Sequence, residues 1–240
     1  MSERTVILLA SNSPRRRELI ALGNWAFRLS VKEVDESQHP GESPSDYVLR
    51  LAEAKARAAM TGSTGLSEEN GYVIVAADTA VVQGPKGRSI ILGKPKDAAE
   101  AVQMLKELRG HTHQVYTGLA VLNPSNGQLL TDLCVTDVPM RNYTEAEIEA
   151  YVQTGDPLDK AGAYAIQHPW FKPVENLQGC FASVMGLPLC HLVRVLAQMD
   201  AAPATDVPAN CQTSLHYACP VSAAILRTAP YGMAAGRQEP

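Results

Sequence analysis

The stretch Ser11-Asn-Ser-Pro-Arg-Arg-Arg17 puts positive charge where a helix does not want it. Ser13 has the chemistry of an N-cap and Pro14 that of a first helical position, so Arg15, Arg16 and Arg17 fall in a first turn. A helix N-terminus already carries free N–H groups and partial positive charge, and each arginine there is disfavoured by about 0.3–1 kcal/mol unless an anion offsets it. Backbone donors, helix dipole and guanidinium forks converging on one point make a phosphate site. A solvated basic turn is the other reading, since the glycine-rich cradle of a Walker loop is missing.

Asp78 is the best candidate for a catalytic carboxylate. It interrupts the apolar run Tyr72–Val82, and burying it ionised costs several kcal/mol unless a cation, a metal or substrate water offsets the loss. The competing reading is an aspartate that caps the next turn. Asp35 and Glu36 also sit at an expected strand end, and carboxylates on neighbouring strand ends suit a hard divalent cation such as Mg2+. Lys55 and Lys94 are of a type more often found as surface lysines than as phosphate ligands, though Lys94 stands between Gly93 and Pro95. His111 and His113 alternate as on a strand and lack a third ligand, so they read as surface residues rather than a metal pair. Gln167 can donate and accept at once, which matches the O4 and N3–H edge of uracil or thymine.

These residues need strands and helices to hold them. Val6–Leu9 reads as a strand feeding the arginine turn and a helix to Gly23; Ala26–Val34 as a second strand; and residues 44–62 as a helix carrying Lys55. Tyr72–Val82 is Val-rich, as in strands buried on both faces. A turn over Gln83–Arg88 leads to a short strand, Ser89–Leu92, and Asp97 and Glu100 make a capping box for a helix to Gly110. Residues 113–123 and 128–140 form a hairpin around Pro124–Gly127. Thr144 and Glu147 open another helix, Leu187-Pro188 starts a last one, and residues 203–240 read as a poorly ordered tail after a domain over 1–202. Alternating helices and strands with a long hairpin predict an α/β fold, a mixed twisted sheet flanked by helices.

Composition narrows the function. A net charge of -4 gives no sign of an extended polyanion-binding face, so no nucleic acid partner is expected and small anionic substrates fit better. No signal peptide is visible, and no stretch approaches the about 18 apolar residues of a membrane span, which predicts a cytoplasmic protein without membrane contact. The 5 cysteines include no C-x-x-C pair and read as buried or free thiols.

Several short segments, taken together and in order, resemble the Maf family of nucleotide pyrophosphatases, the septum-formation inhibitor homologues. They are Leu9–Arg16, Glu53–Ala56, Ala77–Thr79, Leu92–Pro95, Tyr116–Gly118, Asp159–Tyr164 with Gln167, and Gly186–Pro188. The resemblance implies a Maf/inosine-triphosphatase-like fold and metal-dependent hydrolysis of a nucleoside triphosphate to the monophosphate and pyrophosphate, with Mg2+ or Mn2+. It implies Asp78 as proton acceptor and metal contact, Glu36 as metal or water contact, and Arg15, Thr79 and Gln167 as positions that tune base choice. Ser13 in the loop, with Arg16, Lys55 and Lys94, would hold the triphosphate. Asp159–Tyr164 resembles the subgroup acting on dTTP and UTP, and the family implies a homodimer and a link to cell-division arrest. The rival expectation is a nucleotide-sensing or septum-regulating protein that binds without turnover.

Overall fold

The computed structural model describes residues 5–61, 71–84, 89–199 and 201–231. The Val-rich run forms the sheet's axis, β3 (Tyr72–Gln83). Along one edge β5 (Thr112–Leu122) pairs antiparallel with it from Ile74 to Val82. The opposite edge is shared: β1 (Val6–Leu9) pairs in parallel with Tyr72–Val75, and β4 (Ile90–Leu92) antiparallel with Val81–Gln83. Between those two partners, residues 76–80 have no strand neighbour on that edge among the described residues. β2 (Phe27–Leu29) extends the sheet beyond β1, and β6 (Leu129–Pro139) extends it beyond β5, giving the order β2-β1-β3-β5-β6 with β4 on β3. The expected mixed sheet is the observed one.

The period-2 alternation of β3 feeds two layers. Tyr72, Ile74 and Ala76 face α2 (Pro44–Met60), whose Ala52, Ala56 and Ala59 form a smooth apolar stripe. Val73, Val75, Ala77 and Val81 face the larger core. That core is completed by residues of α1 (Pro14–Ala21), α3 (Ala98–Leu108), α4 (Glu145–Gln153), α5 (Phe181–Met185) and α6 (Leu189–Ala197). α2 comes very close to the sheet at Gly118 of β5, where an added Cβ would lie 2.5 Å from the Val48 carbonyl oxygen.

Local signals account for the element ends. Ser13 and Ser43 accept from the backbone N–H three residues on, and Thr144 with Glu147 forms the full reciprocal box. At α3 the box is only half formed: Asp97 accepts from the Glu100 N–H, whereas the Glu100 carboxylate reaches the N–H of Lys96. The hairpin turns at Gly127, whose φ of +72° a residue without Cβ adopts freely.

Three stretches differ from expectation. β2 stops at Leu29 because β1, its only partner among the described residues, offers three paired positions, and residues 30–34 instead lead as loop towards Glu36. Asp78 lies in the middle of β3 rather than at a strand end, paired with Gly118, so it caps no turn. Part of the stretch expected to be poorly ordered forms two short helices, α7 (Val207–Ser214) and α8 (Ser222–Arg227). Neither has a sustained apolar face, and short helices of this kind depend on docking rather than on propensity. Thr205 and Asn210 hydrogen-bond the carbonyls of Gly23 and Leu22, and Arg194 of α6 donates to the Ile225 carbonyl. The predicted turn at residues 85–88, the helix stop at Gly62 and the tail from 232 to 240 lie outside the described residues. Among the described residues no helix is long and apolar enough to cross a membrane.

Candidate active site

The unpartnered edge of β3 opens into a cavity of about 1170 Å3. Because β3 alternates, Asp78 and Thr79 leave the strand on opposite faces, and both line this space. The cavity also receives the loop between β1 and α1, the loop before α2, the segment after β4 and the residues around Gln167. Ser13, Arg15, Arg16, Glu36, Lys55, Asp78, Thr79, Lys94 and Gln167 therefore line one cavity.

On the α2 side, Lys55 Nζ donates to Asp78 Oδ1 at 2.6 Å and pairs with Glu36 Oε1 at 2.6 Å. Burial pushes the Asp78 carboxyl above its ordinary value, with the charges of Lys55 and Arg16 opposing the rise. Glu36 ends below its ordinary value: burial raises it, but the hydrogen bond and charge of Lys55, helped by Lys94 and Arg16, outweigh that. One ammonium thus draws two hard carboxylates together. Among the described residues no group of three or more His, Cys, Asp or Glu could hold a metal. Two carboxylates alone still fit Mg2+ or Mn2+, which characteristically takes one or two protein carboxylates and completes its shell with water and substrate phosphate.

On the other face, Arg16 is held by the protein. Its Nε donates to the Gly186 carbonyl at 2.8 Å, Nη1 to Ser11 Oγ at 3.3 Å and Nη2 to Thr79 Oγ1 at 3.2 Å. A guanidinium carries five N–H groups, so two remain for a ligand. Ser13 spends its hydroxyl oxygen as N-cap on the Arg16 N–H. Lys94 and Gln167 are exposed at the cavity wall.

The Maf-like protein family matches residues 6–199 of this chain. The dTTP/UTP pyrophosphatase of Clostridium botulinum (strain Kyoto / Type A2) is 42% identical over 194 residues, covering 80% of this chain and 96% of its own length. The dTTP/UTP pyrophosphatase of Bacillus cytotoxicus is 44% identical over 194 residues, covering 81% and 95%. That of Geotalea uraniireducens is 41% identical over 201 residues, covering 84% and 98%.

The chain belongs to the Maf family.

Within this Maf protein several residues matter to the site's construction that their types alone did not mark out. Ser11 accepts from both Arg16 and the Ser13 N–H. Gly186, with φ of +111°, turns its carbonyl towards Arg16, and a Cβ there would meet Arg16 Nε at 3.3 Å. His113, read as a surface residue, is buried and bonded through Nε2 to the hydroxyl of Tyr164, which lines the cavity. Burial lowers its pKa to about 4, so it is neutral at neutral pH. The strand reading holds, and the surface reading failed because this face of β5 is covered by Tyr164, 51 positions further along. The cysteines are free: Cys134, Cys180 and Cys190 are buried, Cys211 and Cys219 partly so.

Proposed function

We propose that this Maf protein hydrolyses pyrimidine nucleoside triphosphates, dTTP and UTP, between the α and β phosphates. The observation that carries this is the convergence of Asp78 with the Arg15–Arg16 loop in one cavity. The names of the relatives support the substrate class.

In this reading the triphosphate lies against Arg15, the two unspent N–H groups of Arg16, Lys55 and Lys94, which offset its charge. Asp78 accepts a proton from the water that attacks the α-phosphorus. The bond from that phosphorus to the α–β bridging oxygen breaks, and pyrophosphate leaves with the electron pair while the basic residues stabilise its growing charge. No covalent nucleophile is needed. A divalent cation held by Asp78 and Glu36 would neutralise phosphate charge and polarise phosphoryl oxygen. Gln167 matches the donor–acceptor edge of uracil and thymine, and Arg15 and Thr79 complete the surroundings that choose the base. Raised by burial, Asp78 is a stronger base than an exposed aspartate, and the charge of Lys55 opposes that rise.

We also take residues 1–202 as the Maf-like domain and the rest as an appendage, because 201 residues of this chain already span 98% of the Geotalea relative. A cytoplasmic homodimer is the assembly that goes with this reading, and light scattering checks the dimer. The deciding experiment is pyrophosphate release from a panel of nucleotides with Mg2+, with Mn2+ and with chelator. Metal-dependent release from dTTP and UTP is expected. No release from any nucleotide would leave a binding protein without turnover.

A further inference from the structure

Thr117 sits on β5 opposite Thr79 of β3, is 0% exposed, and lies outside the residues that line the cavity. Its hydroxyl donates to the Ser183 carbonyl of α5 at 2.9 Å, a direction that is forced because a carbonyl has no proton to give. A threonine hydroxyl has a single proton. The 3.2 Å contact between the two hydroxyl oxygens must therefore run from Thr79 to Thr117. Arg16 Nη2 donates to Thr79 Oγ1 at 3.2 Å, which uses one of its two lone pairs. Thr79 is left with its proton committed to the interior and one lone pair unspent.

The geometry points to Thr117 as a positioning residue that fixes the polarity of the Thr79 hydroxyl, so that Thr79 offers a bound nucleotide an acceptor and never a donor. This rests on the pyrimidine nucleotide reading and deepens it. Any nucleotide group that meets Thr79 must bring its own proton. Uracil and thymine carry one at N3, whereas cytosine presents a lone pair at the same atom and meets repulsion. Thr117 thus excludes cytosine nucleotides without touching them. A core threonine that merely fills space under α5 would have no such effect.

The test is kcat/KM on UTP and on CTP for Thr117→Val, Thr117→Ser, Thr79→Val and the Thr79→Val/Thr117→Val pair, with thermal melts alongside. Val keeps the volume and removes the hydroxyl, which frees the Thr79 proton to turn into the cavity. The ratio of UTP to CTP should fall about tenfold in Thr117→Val, the scale on which one misdirected hydrogen bond acts. Thr117→Ser should keep the wild-type ratio. In the Thr79→Val background Thr117→Val should change the ratio no further, because a residue acting through Thr79 has nothing left to act on. If Thr117→Val does not fold, Thr117→Cys, of similar size and weaker as a donor, carries the same comparison. A folded Thr117→Val or Thr117→Cys with the wild-type ratio, or an effect that persists without the Thr79 hydroxyl, overturns this proposal alone. A wild-type protein that releases pyrophosphate from neither nucleotide overturns the parent reading and this one with it.

Discussion

Lys55 Nζ lies 2.6 Å from Asp78 Oδ1, a bond that ties the long helix α2 to the centre of β3. Burial raises the carboxyl and Lys55 is the first of the charges that oppose the rise. Lys55→Met removes that opposition, so the Asp78 pKa should climb further and less of it should be ionised at a given pH. The acidic limb of kcat/KM is expected to move to higher pH, with Lys55→Arg lying between mutant and wild type. A pH–rate profile with an unmoved acidic limb would separate Asp78 from the proton transfer.

Asp78→Asn keeps the shape of the side chain and removes the proposed base. Turnover is expected to fall by roughly 100-fold or more, the usual contribution of a positioned proton acceptor. Nucleotide affinity, measured by calorimetry in the absence of turnover, should change far less, because the arginines and Lys94 are untouched. Wild-type rates in Asp78→Asn would end its assignment as the base.

Gly118 is paired with Asp78 in the β3–β5 ladder, and it is also where α2 presses on the sheet. A Cβ at Gly118 would meet the Val48 carbonyl oxygen at 2.5 Å and its carbon at 2.6 Å, and both are backbone atoms that cannot rotate away. Gly118→Ala must therefore push α2 outward and carry Lys55 with it. A stability loss of about 1–3 kcal/mol is expected from overpacking, together with a fall in kcat. Chemical denaturation and steady-state rates read the two effects, and an unaffected kcat would mean that the seat of α2 does not set the position of Lys55.

How far the sequence reveals this site depends on how local each signal is. The Ser13 cap, the Thr144–Glu147 box, the hairpin at Gly127 and the Val-rich β3 are all set within a few residues, and each lies where its pattern placed it. Asp78 was identifiable by the cost of burying it, but its place mid-strand was not. The opening beside it exists only because β1 and β4, 84 residues apart at their starts in the chain, share one edge of β3. Thr117 and His113 were hidden for the same reason. Their partners Ser183 and Tyr164 come from segments 66 and 51 residues away, and no periodicity within β5 announces them.

His113 also gives the fold a pH dependence of defined sign. It is 3% exposed and its pKa is lowered to about 4 by burial. An unfolded chain takes up the proton near its ordinary value of 6.5, which the folded protein refuses until about 4. The stability tied to this group is complete above about 6.5 and is lost as pH falls towards 4, by up to about 3 kcal/mol. His113→Gln can still bond the Tyr164 hydroxyl and does not titrate in this range. Wild type should therefore lose melting temperature faster than His113→Gln between pH 6.5 and 4, and parallel slopes would show that His113 is not held neutral.

The segment beyond residue 202, the proposed appendage, is fastened to the rest of the chain through a buried charge. Asp132 of β6 is 0% exposed and accepts two 2.6 Å bonds from Arg194 of α6. Arg194 in turn donates to the Ile225 carbonyl and to Thr228, and the Tyr231 N–H donates to Asp132 Oδ1. Val207, itself 0% exposed, and the Tyr217 hydroxyl on the carbonyls of Leu177 and Gly179 add further contacts. Deleting residues 203–240 removes those contacts but leaves the Asp132–Arg194 pair whole. Arg194→Met orphans a buried carboxylate, a change that costs about 3–5 kcal/mol, and should lower the melting temperature more than the deletion does. Asp132→Leu/Arg194→Met should recover most of the loss, because the cost lies in the uncompensated charge rather than in the missing contact. A double variant that melts as low as Arg194→Met would place the cost in the contacts to α8 instead.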